Sequence, residues 1–228
     1  MIYMASTKID PVKTVMESTF QIIKSVSADQ TEIISDIMKL HLSGRSFDLD
    51  PTYSSGAFYK NLSRPAHVYD LNPQKPEIQK ADVRNLPLRS SSISSAMFDP
   101  PFLVGCTFET SRMGKRFGGF KNWPDFFDFI SRSLTELYRV LKSGGVLVVK
   151  CQDIVNGRKQ HLSHVFIVNK ATEIGFLPID IFISVREQVI IQSALKNQQH
   201  ARKTHSYFIV FRKESSGKRM KRIQGRLF

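Results

Sequence analysis

A chain of 228 residues, 41% of them hydrophobic, can bury one sizeable core, so one domain with short appendages is expected. Thirty-three Lys and Arg against 20 Asp and Glu give a formal charge of +13 and a pI near 9.9, which points towards a polyanion: nucleic acid, a membrane surface or an acidic protein. No long apolar run and no charged-then-apolar leader is present, which argues against a membrane-spanning or exported protein. Cys106 and Cys151 are too few and too far apart for a disulfide framework or a zinc site, so a reducing cytoplasm is the expected setting.

In chain order, residues 12–26 have the pattern of an amphipathic helix, and residues 30–41 read as a second helix. An acidic loop follows, Phe47-Asp48-Leu49-Asp50-Pro51-Thr52-Tyr53-Ser54-Ser55-Gly56-Ala57-Phe58-Tyr59-Lys60, a strand end running into a small-residue turn. Thr52, Ser54, Ser55 and Gly56 let backbone approach a ligand closely, and Asp50 could accept from an ammonium or a hydroxyl. The next apolar run, His67-Val68-Tyr69-Asp70, ends in an acid about twenty residues after the turn, where a doubly wound sheet sets a carboxylate on ribose hydroxyls. A third acid, Asp82, could meet an adenine amino group. Singly, Asp70 and Asp82 are equally at home as turn or helix-cap aspartates; in this order at strand ends they point to a nucleoside cofactor at the switch point of an open α/β sheet.

The strand-like residues 94–98 lead into Asp99-Pro100-Pro101-Phe102. Two successive prolines remove two backbone donors, so this loop cannot pair as a strand and its carbonyls stay free to accept hydrogen bonds. That suits an NH2 group. The Asp99 carboxylate and the Pro100 carbonyl could bind the two N–H groups of an exocyclic amine and draw its lone pair out of conjugation, while Phe102 offers a face for a base. Alone, Asp-Pro-Pro is also a common stiff turn.

Beyond it, Arg112, Lys115, Arg116 and Lys121 are interleaved with Phe117, Phe120 and glycines, a pattern that could close over a substrate and hold phosphates, or form a solvated loop. Residues 124–141 have helical spacing and end at Gly144-Gly145, fit for a C-cap; residues 146–150 are a buried-strand run. His161 and His164 have ligand-like spacing but lack partner acids or cysteines in pattern, and read as surface or capping histidines. Residues 164–174 read as a helix stopped by Gly175. Residues 181–192 and 206–212 read as strands joined by a basic loop in which Lys196, Asn197, Gln198, Arg202 and Lys203 could read base edges and hold phosphates.

Taken together, the Asp50-Pro51-Thr52-Tyr53-Ser54-x-Gly56-x-Phe58-Tyr59 segment and Asp99-Pro100-Pro101-Phe102 resemble the class I S-adenosylmethionine-dependent methyltransferases, within them the amino-methylating DNA methylases, and most of all the short bacterial and phage DNA-methylase-like proteins. The likeness runs from about residue 32 to 213. It implies a Rossmann-like α/β fold: a doubly wound, mostly parallel seven-stranded sheet with an antiparallel closing hairpin. The domain would span 31–213, with an N-terminal helical appendage over 1–30 and a basic, disordered tail over 214–228. It implies S-adenosyl-L-methionine as cofactor, with Asp50, Pro51, Thr52 and Gly56 around its methionine part, Asp70 on the ribose and Asp82 on the adenine. Asp99, Pro100, Pro101 and Phe102 would take the target amine. The first loop departs from the family in holding one glycine, Gly56, where two or three are usual.

The resulting expectation is methyl transfer to a base amino group, adenine N6 in DNA ahead of other targets, Asp rather than Ser before Pro-Pro favouring adenine by family analogy. A duplex target would require base flipping. The alternatives are the same chemistry on RNA, and a nucleic-acid-binding protein that retains the fold without the activity.

Overall fold

Strands too short or too apolar to stand alone find their partners in one large sheet. The computed structural model describes residues 22–105, 118–156, 158–186 and 199–215. Among them lie strands β1 (Val26–Ser27), β2 (Leu49–Asp50), β3 (His67–Asp70), β4 (Gln79–Lys80), β5 (Ile93–Phe98), β6 (Leu141–Cys151), β7 (Ile154–Asn156), β8 (Lys159–His161), β9 (Phe176–Val185) and β10 (His205–Lys213), with helices α1 (Gln30–His41), α2 (Trp123–Val140) and α3 (Ser163–Ile174). Eight strands align in the order β1-β9-β10-β6-β5-β2-β3-β4, while β7 and β8 form a separate hairpin. From β4 across to β6 every pairing is parallel; β10 runs antiparallel to both β6 and β9 and closes the sheet. The chain enters this parallel part at β2, winds outward through β3 and β4, and returns to β5 on the other side, so the topological switch point lies between the carboxyl ends of β2 and β5.

Alternation along the strands builds two cores. Ala96, Phe98, Leu147, Val149, Ile209 and Phe211 face α2 and α3, whereas Met97, Val146, Val148, Phe208 and Val210 face α1 and the 3₁₀ turn Ala57–Tyr59. Helix α2 buries Phe126, Ile130, Leu134, Leu137 and Val140 along one stripe and starts at Asn122, whose side chain accepts from the Asp125 N–H. Each of these fully buried side chains contributes about 1.5–3 kcal/mol relative to exposure. Among the described residues no helix is long and apolar enough to cross a membrane.

The seven expected strands are present, and β1 adds an eighth at the edge. Residues 22–25 have no regular structure and Val26 pairs with Ile183 in β1, so the end of the helix expected over 12–26 is strand instead; residues 1–21 lie outside the described part. Helix α2 stops at Val140 without using Gly144-Gly145 as its cap. Lys213 Nζ takes over the terminal carbonyls, donating to Tyr138 O at 2.6 Å and Leu141 O at 2.7 Å. The two glycines belong to a bulge where the β5–β6 register shifts: Gly144 has φ +78°, and a Cβ on Gly145 would lie 2.8 Å from Lys142 O and 3.1 Å from Ser94 O. Strand β9 begins at Phe176, directly after Gly175 ends α3, and closes at Val185, so the strand expected over 181–192 is shifted towards the N-terminus; residues 187–198 are outside the described part.

Candidate active site

Parallel strands deliver their last residues to one edge of the sheet, and there the acids singled out in the sequence gather. Asp50 ends β2, Asp70 ends β3, Asp99 follows β5, and Lys150 stands next to last in β6.

Asp50 is almost fully buried. Its Oδ1 accepts from the Thr52 N–H at 2.9 Å, and its Oδ2 accepts from the Tyr59 hydroxyl at 2.9 Å. Burial pushes its carboxyl up to about 7 despite these bonds, and the nearby Asp99 charge adds to the rise. Thr52 joins the two halves of the site: its hydroxyl donates to Asp50 Oδ1 at 3.4 Å and accepts from the Asp99 backbone N–H at 2.9 Å.

The loop after Asp50 turns through left-handed conformations at Ser54 (φ +51°) and Gly56 (φ +73°). Ser54 N–H donates to Asp70 Oδ2 at 2.8 Å, and Asn72 N–H donates to Asp70 Oδ1 at 2.8 Å, so Asp70 both turns its own loop and ties it to the Asp50 loop. Gly56 was expected to admit a ligand. What presses on it is Tyr53: a Cβ there would meet the Tyr53 ring at 2.5 Å, and that ring stacks on Tyr59 with centroids 5.6 Å apart. The glycine is required by the packing of the loop itself. Asp82, expected to face adenine, has its carboxylate held by Arg84, with Nη2 donating to Oδ2 at 2.6 Å and Nε donating to Oδ1 at 3.0 Å. Hydrogen bonding from Arg84 keeps the Asp82 carboxyl below its usual range, and the guanidinium in turn lies over Phe129.

Asp99 heads the proline segment. Its Oδ2 accepts from Lys150 Nζ at 3.3 Å, whereas Oδ1 is buried with no hydrogen-bond partner among the described residues. Burial raises the Asp99 carboxyl and Lys150 pulls it back down. An orphaned carboxylate oxygen at a sheet switch point is an acceptor waiting for a donor. Pro100 is buried, Pro101 and Phe102 are half-buried, and Phe102 packs against the α2-side core. The continuation is pinned: Phe120 N–H donates to Leu103 O, Gly105 N–H donates to Phe120 O, and Asn156 Nδ2 donates to Val104 O, each at 2.8 Å.

That pairing places Gly105 and Phe120, which flank the basic segment, beside the proline motif. Arg112, Lys115 and Arg116 lie outside the described residues, as do Cys106, Lys196, Asn197 and Gln198. Lys121 and Arg202 are exposed and Lys203 is half-buried. Gln152, just past β6, donates to Lys203 O at 3.3 Å and His205 O at 2.8 Å, which brings the second basic stretch to the strand end that carries Lys150. His164 pairs its Nδ1 with buried Asp153 at 2.7 Å and stacks on Tyr207; His161 stacks on Trp123. Cys151 is a buried free thiol, pushed up by burial. Among the described residues no three His, Cys, Asp or Glu converge as a metal site would require.

Two residues escaped the reading of the sequence. Tyr59 looked like part of a turn, and Lys150 looked like the end of an apolar strand; its signal was a lone cation closing the buried run 146–149.

A search of curated proteins finds no match. Among solved structures, a protein described as a DNA modification methylase from Thermus thermophilus, complexed with S-adenosyl-L-methionine, aligns at 18% identity with a TM-score of 0.43, over 60% of this chain and 52% of that one. The chain thus spans about half the length of that protein. The [4+2]-cyclase SpnF aligns at 12% identity with a TM-score of 0.52 over 82% of both chains, a likeness of fold. A family model described as DNA methylase, of the N6 and N4 amino-methylating type, matches residues 93–224, which include Asp99 to Phe102 and leave the Asp50 loop outside. Over more than half its length the chain carries that family's pattern, and it belongs to the DNA methylases.

Proposed function

We propose that this protein transfers a methyl group from S-adenosyl-L-methionine to the exocyclic amino nitrogen of a base in DNA, adenine N6 in preference to cytosine N4. The observation that carries the reading is the buried Oδ1 of Asp99, without a hydrogen-bond partner among the described residues, at the switch point, followed by two prolines and linked through Thr52 to the Asp50 loop.

The residues present fit the cofactor. Asp50, buried and held up to about 7, is a carboxyl that a cation would ionise, as the ammonium of a methionine moiety would. Asp70 stands at the same loop with its carboxylate fixed by two backbone N–H groups, suited to ribose hydroxyls; the Asp82–Arg84 pair would border the adenine. When bound, S-adenosyl-L-methionine supplies an electrophilic methyl on a sulfonium. Asp99 Oδ1 accepts one N–H of the target amine, and the Pro100 carbonyl serves the other. Both bonds strengthen as the nitrogen loses its conjugation and acquires positive charge. The nitrogen gains the methyl carbon, the C–S bond pair stays on sulfur, and the surplus proton leaves after alkylation, so the site needs no strong base.

DNA is favoured by the net charge of +13 and by the cations near the site, Lys121, Arg202 and Lys203, with Arg112, Lys115, Arg116 and Lys196 on the adjoining segments; Asn197 and Gln198 supply polar contacts to base edges. In duplex DNA the base would be flipped towards Phe102. Residues 31–213 form the transferase unit in this reading, acting in the cytoplasm. The test is transfer of labelled methyl to duplex DNA, single-stranded DNA and RNA in parallel, with nucleoside identification. Label in N6-methyladenine that is lost in Asp99→Ala supports the reading; label in N4-methylcytosine or in RNA alone moves the target. No labelling together with no cofactor binding by calorimetry leaves a nucleic-acid-binding protein without the activity.

A further inference from the structure

We propose that Lys150 positions Asp99, fixing the carboxylate by its Oδ2 so that Oδ1 faces the target amine as an anion. The proposal rests on the methyl-transfer reading above and assigns a residue to it that the motif does not contain.

The geometry is specific. Alternation along β6 sends Val146, Val148 and Lys150 to the α1 side, so Lys150 emerges from a row of apolar side chains and is only 8% exposed. Its Nζ lies 4.8 Å from the centroid of Phe58 and 5.9 Å from that of Phe208, rings packed edge to face against each other, and 3.3 Å from Asp99 Oδ2. Two aromatic faces and one carboxylate oxygen therefore box the ammonium. Burying a lysine costs free energy that a methionine of similar length would not, and filling space does not account for the charge.

The charge has work to do at Asp99. Asp50 approaches from β2, Tyr59 from the 3₁₀ turn, and Lys150 and Cys151 from β6. Of these four only Lys150 is a cation. Burial favours a protonated Asp99, and a protonated carboxyl would present an O–H where the amine needs an acceptor. With Oδ2 occupied by Lys150, the side-chain torsion is set and Oδ1 is left over, as the unpartnered oxygen records. Lys150 touches neither the amine nor the methyl in this arrangement; it acts through Asp99.

The experiment follows the Asp99 carboxyl directly. In the full chain labelled with 13C at the aspartate carboxyls, with the Asp99 signal assigned from Asp99→Asn, the titration midpoint is read in wild type, Lys150→Met and Lys150→Arg. Lys150→Met is expected to raise the midpoint by about one unit or more, and Lys150→Arg to restore most of it. Under single-turnover conditions the acid limb of methyl transfer shifts by the same amount and the rate near neutrality falls about tenfold, while the dissociation constant for S-adenosyl-L-methionine stays within about twofold. Should Lys150→Met not fold, Lys150→Gln is read in its place with the same expectation. A midpoint unmoved by removal of the charge overturns the assignment. A wild-type protein that transfers no methyl overturns the underlying function instead, and the carboxyl titration still decides whether Lys150 governs Asp99.

Discussion

Replacing Asp50 by asparagine removes a buried carboxyl whose proton is held far above the usual range. Asp50 is 2% exposed, and burial moves it from an ordinary 3.8 to about 7. Between those values the folded protein keeps a proton that the unfolded chain has released, so unfolding releases a proton and stability falls as pH rises. The loss is complete once both states are ionised, above about pH 7. A shift of about three units corresponds to roughly 4 kcal/mol, an upper figure because local relaxation and water would lessen it. Asparagine keeps an acceptor for the Thr52 N–H and carries no charge, so the variant should lack this slope. Asp99 is raised in the same sense, but it is present in both proteins and largely cancels, apart from a small relief when its neighbour is neutral. Urea unfolding at about pH 4.5 and pH 8 should therefore show Asp50→Asn gaining about 3 kcal/mol on the wild type across that interval. A stability difference constant to within about 0.5 kcal/mol would refute the raised carboxyl. The same proton should reappear in binding: near neutrality, calorimetry with S-adenosyl-L-methionine in buffers of different ionisation enthalpy should report proton release from the wild type and less from the variant.

Gly56→Ala sets a Cβ 2.5 Å from the Tyr53 ring at φ +73°, and should cost about 1–3 kcal/mol in urea unfolding and weaken cofactor binding; adding Tyr53→Ala should recover the steric part but not the backbone part. Glu136→Gln should destabilise by about 2 kcal/mol at neutral pH, because Glu136 accepts from the buried Leu86 N–H at 2.7 Å and holds Arg139, which binds Leu86 O and Leu88 O in turn. Arg139 keeps the Glu136 carboxyl below its usual range, so this contribution is present at neutrality and disappears as pH falls below about 4.5; wild type and variant should converge in acid.

The sheet and the gathering of acids at its carboxyl edge were legible because they rest on patterns with a local cause. Apolar runs ending in Asp50, Asp70 and Asp99 are short parallel strands with polar termini, and the apolar stripe of α2 is ordinary helix grammar. Features decided by partners distant in sequence were not. Two residues suffice for β1 because β9 receives them, and Lys213 rather than a glycine closes α2 from 72 residues away. At Gly56 the sequence shows the glycine but not the Tyr53 ring packed on it, since stacking of Tyr53 on Tyr59 is a tertiary event. The pairing of Asp82 with Arg84, two residues on, is likewise invisible to a search for acids at strand ends. Lys150 shows the same limit from the other side: the charge was in view, and its pairing with Asp99, 51 residues earlier, was not.

Thr52 explains why the two loops must be considered as one site. Its hydroxyl has a single proton, directed to Asp50, and its oxygen accepts from the Asp99 N–H, so its rotamer is fixed from both sides. In-line transfer tolerates little error, because donor carbon and acceptor nitrogen must meet at about 3–3.5 Å with aligned orbitals. A loop that holds one reactant and a loop that holds the other would drift independently if each were anchored only to its own strand. Thr52 refers the backbone of the acceptor loop to the carboxylate of the cofactor loop over one side chain. Lys150 then fixes the Asp99 side chain from β6, the next strand along. In the proposed reaction the position of the nitrogen would be set by three adjacent strands, β2, β5 and β6, through the Thr52 and Lys150 bonds and not by the basic segments that would grip the polymer.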